Sequence, residues 1–170
     1  MNPTPPLCVF RCRTGWLALE APLVGEVADL GTITPLAGCR PGILGLANLR
    51  GRAVAAVDLD FLLGGPEGDP PAADLRCLVL RLPGREAAAP ILKVEGVFAA
   101  NPAHRREVNR LAEPPWISTF HAFPGLRDDH GGELVAAVID PHELAQRLDT
   151  LRFAPVLPAA AGTPSQRQGS

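Results

Sequence analysis

The chain has 170 residues, 46% hydrophobic and 20% charged, with a net charge of -2 at neutral pH. That length fits one large domain or two small halves, able to bury roughly 70% of the unfolded surface without staples. The charge excludes a long-range basic field for nucleic acid or an anionic membrane. With no Tyr, two Trp and six Phe, the chain also has few platforms for stacking single-stranded nucleic acid.

Nineteen Pro and 17 Gly cut the chain into short segments, which predicts strands and turns in preference to long helices. No apolar run approaches the roughly 18 residues of a membrane span, so no direct membrane insertion is expected. The opening MNPTPPLCVF has no basic stretch leading into an apolar one, so no signal peptide is expected. The cytoplasm is the expected location, with the four Cys reduced.

Residues 7–13 alternate, with Cys8, Phe10 and Cys12 on one face and Arg11 and Arg13 on the other, the period of a half-buried strand. Thr14-Gly15 turns the chain into a returning strand over 16–19. Leu23, Val24 and Val27 are apolar around Gly25 and Glu26, and 29–34 continues toward Pro35. Strands follow at 43–49 and 53–57, joined by a turn at Asn48-Leu49-Arg50-Gly51. Asp58 is placed to cap a short helix over 59–63, and Gly64 to stop it. The stretch 64–74, rich in Gly, Pro and acid, reads as a linker.

Beyond it, 75–82 alternates as a strand, and 87–100 predicts two strands bent at Gly96. Residues 101–115 read as a loop with one helical turn over 107–111. Strand character resumes at 116–123, a polar turn covers 126–133, and 134–139 is a buried strand. Asp140-Pro141-His142-Glu143 has the pattern of a capping box opening a helix to about 151. The tail 154–170, mostly Pro, Ala, Gly, Ser and Gln, is expected to be disordered.

One stretch recurs. Gly51-Arg52-Ala53-Val54-Ala55-Ala56-Val57 returns as Gly132-Glu133-Leu134-Val135-Ala136-Ala137-Val138, 81 positions on from Gly51 to Gly132. Each copy runs into an Asp and a short helix, the second with Ile139 interposed. Ala and Val alone could coincide; the matching Gly before and Asp-plus-helix after point to a duplicated architecture. The expectation is an all-β fold of two similar halves, each of about five strands.

Gly45-Leu46-Ala47-Asn48-Leu49-Arg50-Gly51, followed by Val57-Asp58-Leu59, resembles the G-x-x-N-L-R-G…V-D-L signature of CheW-like domains. These are the coupling proteins of bacterial chemotaxis and related chemosensory pathways. Val24-Gly25-Glu26-Val27 is similar to the family's V-x-E-V segment, and 91–97 to its V-D-x-V region. The resemblance covers about 7–148. It departs at Ala55, where Pro is frequent, at Gly25, where a polar or charged residue is usual, at Glu95, where Asp is usual, and across 101–123.

The resemblance implies two SH3-like five-stranded barrels sharing a hydrophobic junction. The first would cover about 7–63, completed by closing elements, and the second about 75–140, within a domain over 1–153. It also implies a non-catalytic scaffold or adaptor with no cofactor. Its partners would be a CheA-like histidine kinase and the cytoplasmic tip of a chemoreceptor, at membrane receptor arrays. The alternatives are an adaptor of a surface-motility or other chemosensory pathway, and a small β-barrel binder of peptides or RNA.

The residues matching the family's receptor and array contacts are Val24, Glu26, Val27 and Arg50, with Asn48 in the same turn. Each also has a plain reading. Arg50 could be a solvated turn residue beside Gly51. Glu26 could pair with a basic group on the partner or with Arg50 across the groove, or be a solvent-facing strand residue. Val24 and Val27 could be core, and Asn48 could satisfy its own turn. Asp58 and Asp140 are expected as structural caps worth about 1 kcal/mol each.

No metal site is expected. Cys8 and Cys12 share a strand face but lie about 13 Å apart, too far for one zinc. Asp128-Asp129-His130 is the one local cluster that could serve a metal-dependent enzyme, but its flanking Pro124-Gly125 and Gly131-Gly132 mark an exposed turn.

Overall fold

The computed structural model describes residues 4–68 and 76–151. The expected linker at 64–74 is therefore described only as far as Gly68, and the tail 154–170 lies outside the described residues. The first hairpin is β1 (Leu7–Cys12) and β2 (Gly15–Glu20). Then come β3 (Val24–Asp29), β4 (Ile33–Thr34), β5 (Ile43–Leu49), β6 (Arg52–Val57) and the short helix α1 (Leu59–Leu62). The second hairpin is β7 (Arg76–Leu82) and β8 (Arg85–Ile91). It is followed by β9 (Lys93–Phe98), β10 (Arg105–Arg106), β11 (Ile117–Arg127), β12 (Glu133–Ile139) and α2 (Pro141–Thr150).

The fold is all-β, in two six-stranded sheets ordered β10-β11-β12-β2-β1-β9 and β3-β7-β8-β6-β5-β4. Five strands per half were expected. The extra ones, β4 and β10, are two residues long, too short to carry an alternating pattern. Read from β4, the second sheet matches the first strand for strand, with β6 in the place of β12. The recurring sequence thus occupies equivalent positions: β6 pairs in parallel with β8, and β12 in parallel with β2.

The chain crosses between sheets twice, after β2 and after β8. Hairpin β1–β2 joins β9–β12, and β7–β8 joins β3–β6. A division near 64–74 separates the two sequence repeats but falls inside the second sheet. Both crossings depend on pairings between strands distant in sequence, which local patterning does not report.

Alternation explains how the hairpins tolerate this placement. In β1, Cys8, Phe10 and Cys12 enter one core cluster while Leu7 and Val9 enter another. In β7, Leu78, Leu80 and Leu82 enter the first cluster while Cys77 and Val79 enter a third. The first cluster is the junction between the sheets, closed by Leu59, Leu62, Leu144 and Leu148 of the two helices. Each of the other clusters belongs to one sheet.

Three local expectations change. The break in 87–100 falls at Leu92, whose N–H reaches Arg11 O at 2.9 Å, and Gly96 sits inside β9 at a bulge. Residues 101–106 form a 3-10 turn at Pro102–His104 and then β10, and no helix covers 107–111. Asp140 caps α2 through the N–H groups of His142 (2.8 Å) and Glu143 (3.1 Å), but its own N–H donates to Trp116 O at 2.7 Å. Glu143 lies instead 3.6 Å from Arg147, so the reciprocal half of the capping box is not made. Asp58 repeats this arrangement: it accepts from Phe61 N–H at 3.2 Å and donates to Gly42 O at 2.8 Å.

Asp58 does more than cap. Its carboxylate takes the Arg13 guanidinium at 2.8 and 2.9 Å. Buried Asp60 accepts from the N–H groups of Arg13 (3.2 Å) and Thr14 (2.7 Å) and from Arg13 Nε (3.3 Å). Burial opposes the guanidinium's charge, but Asp58 and then Asp60 outweigh it and raise the Arg13 pKa. A Cβ on Gly68 would overlap this guanidinium. The β1–β2 turn of one sheet is thereby clamped to the helix that follows β6 of the other. Removing Arg13 leaves two buried carboxylates short of their cation. Arg13→Ala is expected to cost about 1–3 kcal/mol in urea denaturation, the lower end reflecting Arg13's partial exposure.

His121 is buried in β11, 4.6 Å from the Phe123 ring, and its Nε2–H donates to Asn101 O at 3.1 Å. Burial lowers its pKa. The unfolded chain therefore takes up this proton at higher pH than the folded one. The stabilising contribution is complete above about pH 6.5 and is lost as pH falls through the folded value. Melting temperature is expected to drop on acidification from pH 7 to 5, and His121→Gln to flatten that dependence.

Candidate docking surface

The β5–β6 hairpin closes at the pair Leu49↔Arg52, leaving Arg50 and Gly51 as its two loop residues. Both have positive φ, 51° and 84°, the pattern of a type I′ turn that matches strand twist. Asn48 Oδ1 accepts the Gly51 N–H at 2.8 Å, so Asn48 serves its own turn. Gly51 meets the left-handed conformation without cost, whereas Arg50 is the sole non-glycine residue with positive φ among the described residues. An L-side chain there costs roughly 1–2 kcal/mol.

Arg50 Nη2 lies 2.9 Å from Glu26 Oε2, and the Arg50 side chain is 80% exposed. Such an exposed pair contributes at most about 1 kcal/mol, no more than the strain it accompanies. The contact joins the β5–β6 tip to β3 at the far side of the sheet. Beside it, Val27, Ala28, Asp29, Leu49, Arg50 and Arg76 line an open pocket of about 440 Å³.

Register places the valines. Val24 lies opposite Leu80 and Val27 opposite Leu78, two residues of the junction core, with the bulge between Val24 and Glu26. Residues paired across antiparallel strands share a face. Val24 and Val27 therefore border the junction, Val24 packed on its core and Val27 37% exposed. Glu26 turns away to Arg50. The structure thus brings together Glu26, Arg50 and Val27, while Asn48 stays within its turn and Val24 belongs to the junction rim.

The sequence reading missed the counterpart of this rim on β9. Val94 lies opposite Phe10 and Val97 opposite Cys8, again on the junction side, and Val97 is 59% exposed. The signal was present: Val94-Glu95-Gly96-Val97 repeats the Val, Gly-plus-Glu, Val pattern of Val24-Gly25-Glu26-Val27, 70 positions on. Also missed were Arg52 and Glu86, paired at 2.6 and 3.4 Å at the solvent end of the same sheet, on the face that carries Val54 and Ala88. The hydrogen bond to Arg52 leads the causes that lower the Glu86 pKa, and Glu86 raises that of Arg52.

The other reactive groups are occupied structurally. Asp128 Oδ1 accepts from the N–H groups of His130 (2.9 Å) and Gly132 (2.8 Å), and Asp129 pairs with Arg11 at 2.7 Å. Cys8, Cys12 and Cys77 are buried free thiols; burial pushes Cys77 up to about 11 and Cys12 higher still. Among the described residues no group of three His, Cys, Asp or Glu is placed to hold a metal ion. Nor is any helix among them long and apolar enough to cross a membrane.

A family model described as a CheW-like domain matches residues 6–149. Comparison with curated protein sequences finds no match. Among solved structures, the chain is similar to the scaffolding protein TtCheW from Thermoanaerobacter tengcongensis. The TM-score is 0.62 and identity 19%, covering 84% of this chain and 92% of that one. At that identity the likeness speaks for the fold.

The strain at Arg50 has a measurable consequence. Asn enters the left-handed region several-fold more readily than most residues. Arg50→Asn is expected to hold stability or raise it by up to about 1 kcal/mol, read as the urea midpoint. A clear loss of stability would mean that the Glu26 pair outweighs the strain.

Proposed function

The chain belongs to the CheW-like domain family, a family of scaffold proteins, and we propose that it couples a CheA-type histidine kinase to the cytoplasmic tips of chemoreceptors. It acts without catalysis and without a cofactor, in the cytoplasm at receptor arrays. The observation that carries this reading is Arg50: an exposed guanidinium held in a strained turn, paired with Glu26 and set beside exposed Val27. That surface offers a planar fork of donors next to apolar area, the composition of an interface anchor. Its nearby groups are charges and valines, suited to binding.

The two sheets act as two SH3-like halves in this reading, with Val24 and Val27 on one side of the junction and Val94 and Val97 on the other. A partner seated along that rim touches both halves. A change in the partner's state can then bias how a second partner is held.

Co-purification with the native kinase and receptors tests the reading. The unmodified chain is expected to retain both, and Arg50→Glu to lose at least one while melting normally. Retention of neither by the unmodified chain overturns the coupling role; full retention of both by the variant overturns the assignment of Arg50.

A further inference from the structure

The charged face around Glu26 extends across the sheet, and its charges do not balance. Glu26 is taken by Arg50, and Glu86 by Arg52. A third cation, Arg81 on β7, stands directly opposite Glu86 in the register and is exposed. Among the described residues it makes no ion pair. Three guanidinium groups therefore face two carboxylates, leaving one positive charge in excess.

Arg81 is nonetheless seated. A Cβ built on Gly25 would stand 3.0 Å from both Cζ and Nη2 of Arg81 and 3.2 Å from its Nε. The guanidinium therefore covers the side of Gly25 where a side chain would stand, at the β3 bulge. Gly25 is not among the glycines with positive φ, so its backbone does not require glycine. What favours glycine here is the guanidinium of Arg81, which a Cβ would push outward by a few tenths of an ångström. Gly25 stands beside Glu26, in the segment where the resemblance to CheW-like domains breaks at one position.

We propose that Arg81, seated on Gly25, is a specificity-determining residue of this docking face and meets a carboxylate on the partner protein. The proposal deepens the coupling reading and rests on it for the identity of the partner. An Arg already resting over Gly25 loses less side-chain freedom on binding than one extended into solvent. Its planar fork suits a bidentate carboxylate, whose charge would neutralise the excess. Gly25 is the second determinant, because a side chain larger than a methyl there would take the guanidinium's place without removing its charge.

The test uses the full chain with its native kinase and receptors. Arg81→Gln is expected to weaken binding roughly tenfold and Arg81→Glu further, with a shallower salt dependence for both. Gly25→Val, which keeps the charge but unseats it, is expected to weaken binding comparably. Unchanged binding by both Arg81 variants, with normal melting, overturns the proposal. Arg81→Lys supplies a second measurement, since a carbodiimide joins an amine only to a carboxylate in contact with it. Treatment of cell lysate followed by peptide mapping is expected to show the introduced amine joined to an Asp or Glu of the kinase or a receptor. A mapped carboxylate on a different protein supports the role of Arg81 and defeats the coupling reading. A link only to Glu26 or Glu86 of the same chain, or none through the introduced amine, overturns the proposal.

Discussion

Strands with two apolar faces govern this structure. In β1 and β7 both sets of alternating side chains are buried, so each strand needs packed material on both sides. One face of each goes to the core of its own sheet and the other to the shared junction. The cost of exposing either face, at about 25 cal/mol per Å² of apolar surface, makes a solitary half unfavourable. The junction is therefore part of the fold of each half as well as the contact between them.

The exchange of hairpins strengthens this dependence. Each repeat gives its first hairpin to the sheet built mainly by the other, so neither sheet is completed by its own repeat. The Arg13–Asp58–Asp60 clamp then fixes the turn of one such hairpin to the helix leaving the opposite sheet. Buried charges in that position are costly unless all are satisfied, and here backbone N–H groups and the guanidinium together satisfy them.

The proposed docking face sits at the margin of this arrangement. Strands β3 and β9 are the outer strands beside β7 and β1, and each carries a bulge that interrupts a regular edge. Bulges discourage further strand pairing and re-aim side chains. At β3 the bulge sets Val24 and Val27 on the junction side and frees Glu26 for Arg50. Strain at Arg50 and an excess charge at Arg81 are both tolerated where the sheet meets solvent, Arg81 lying on β7 just past its doubly buried stretch Cys77–Leu80.

Sequence by itself determined the longer strands, the duplicated β6 and β12, both Asp caps, and the turn carrying Arg50. Period-two alternation, glycine turns and N-cap chemistry are local, and they act the same way wherever the segment is placed. Glu26 and Arg50 could be named as a possible pair but not joined, because they stand 24 positions apart with the curl of a sheet between them. Only tertiary structure decided that pairing, the exchange of hairpins, the clamp at Arg13 and the seating of Arg81 on Gly25. Each is a contact between segments whose meeting depends on which strands lie side by side, and that choice is made by burying both faces of β1 and β7 at once.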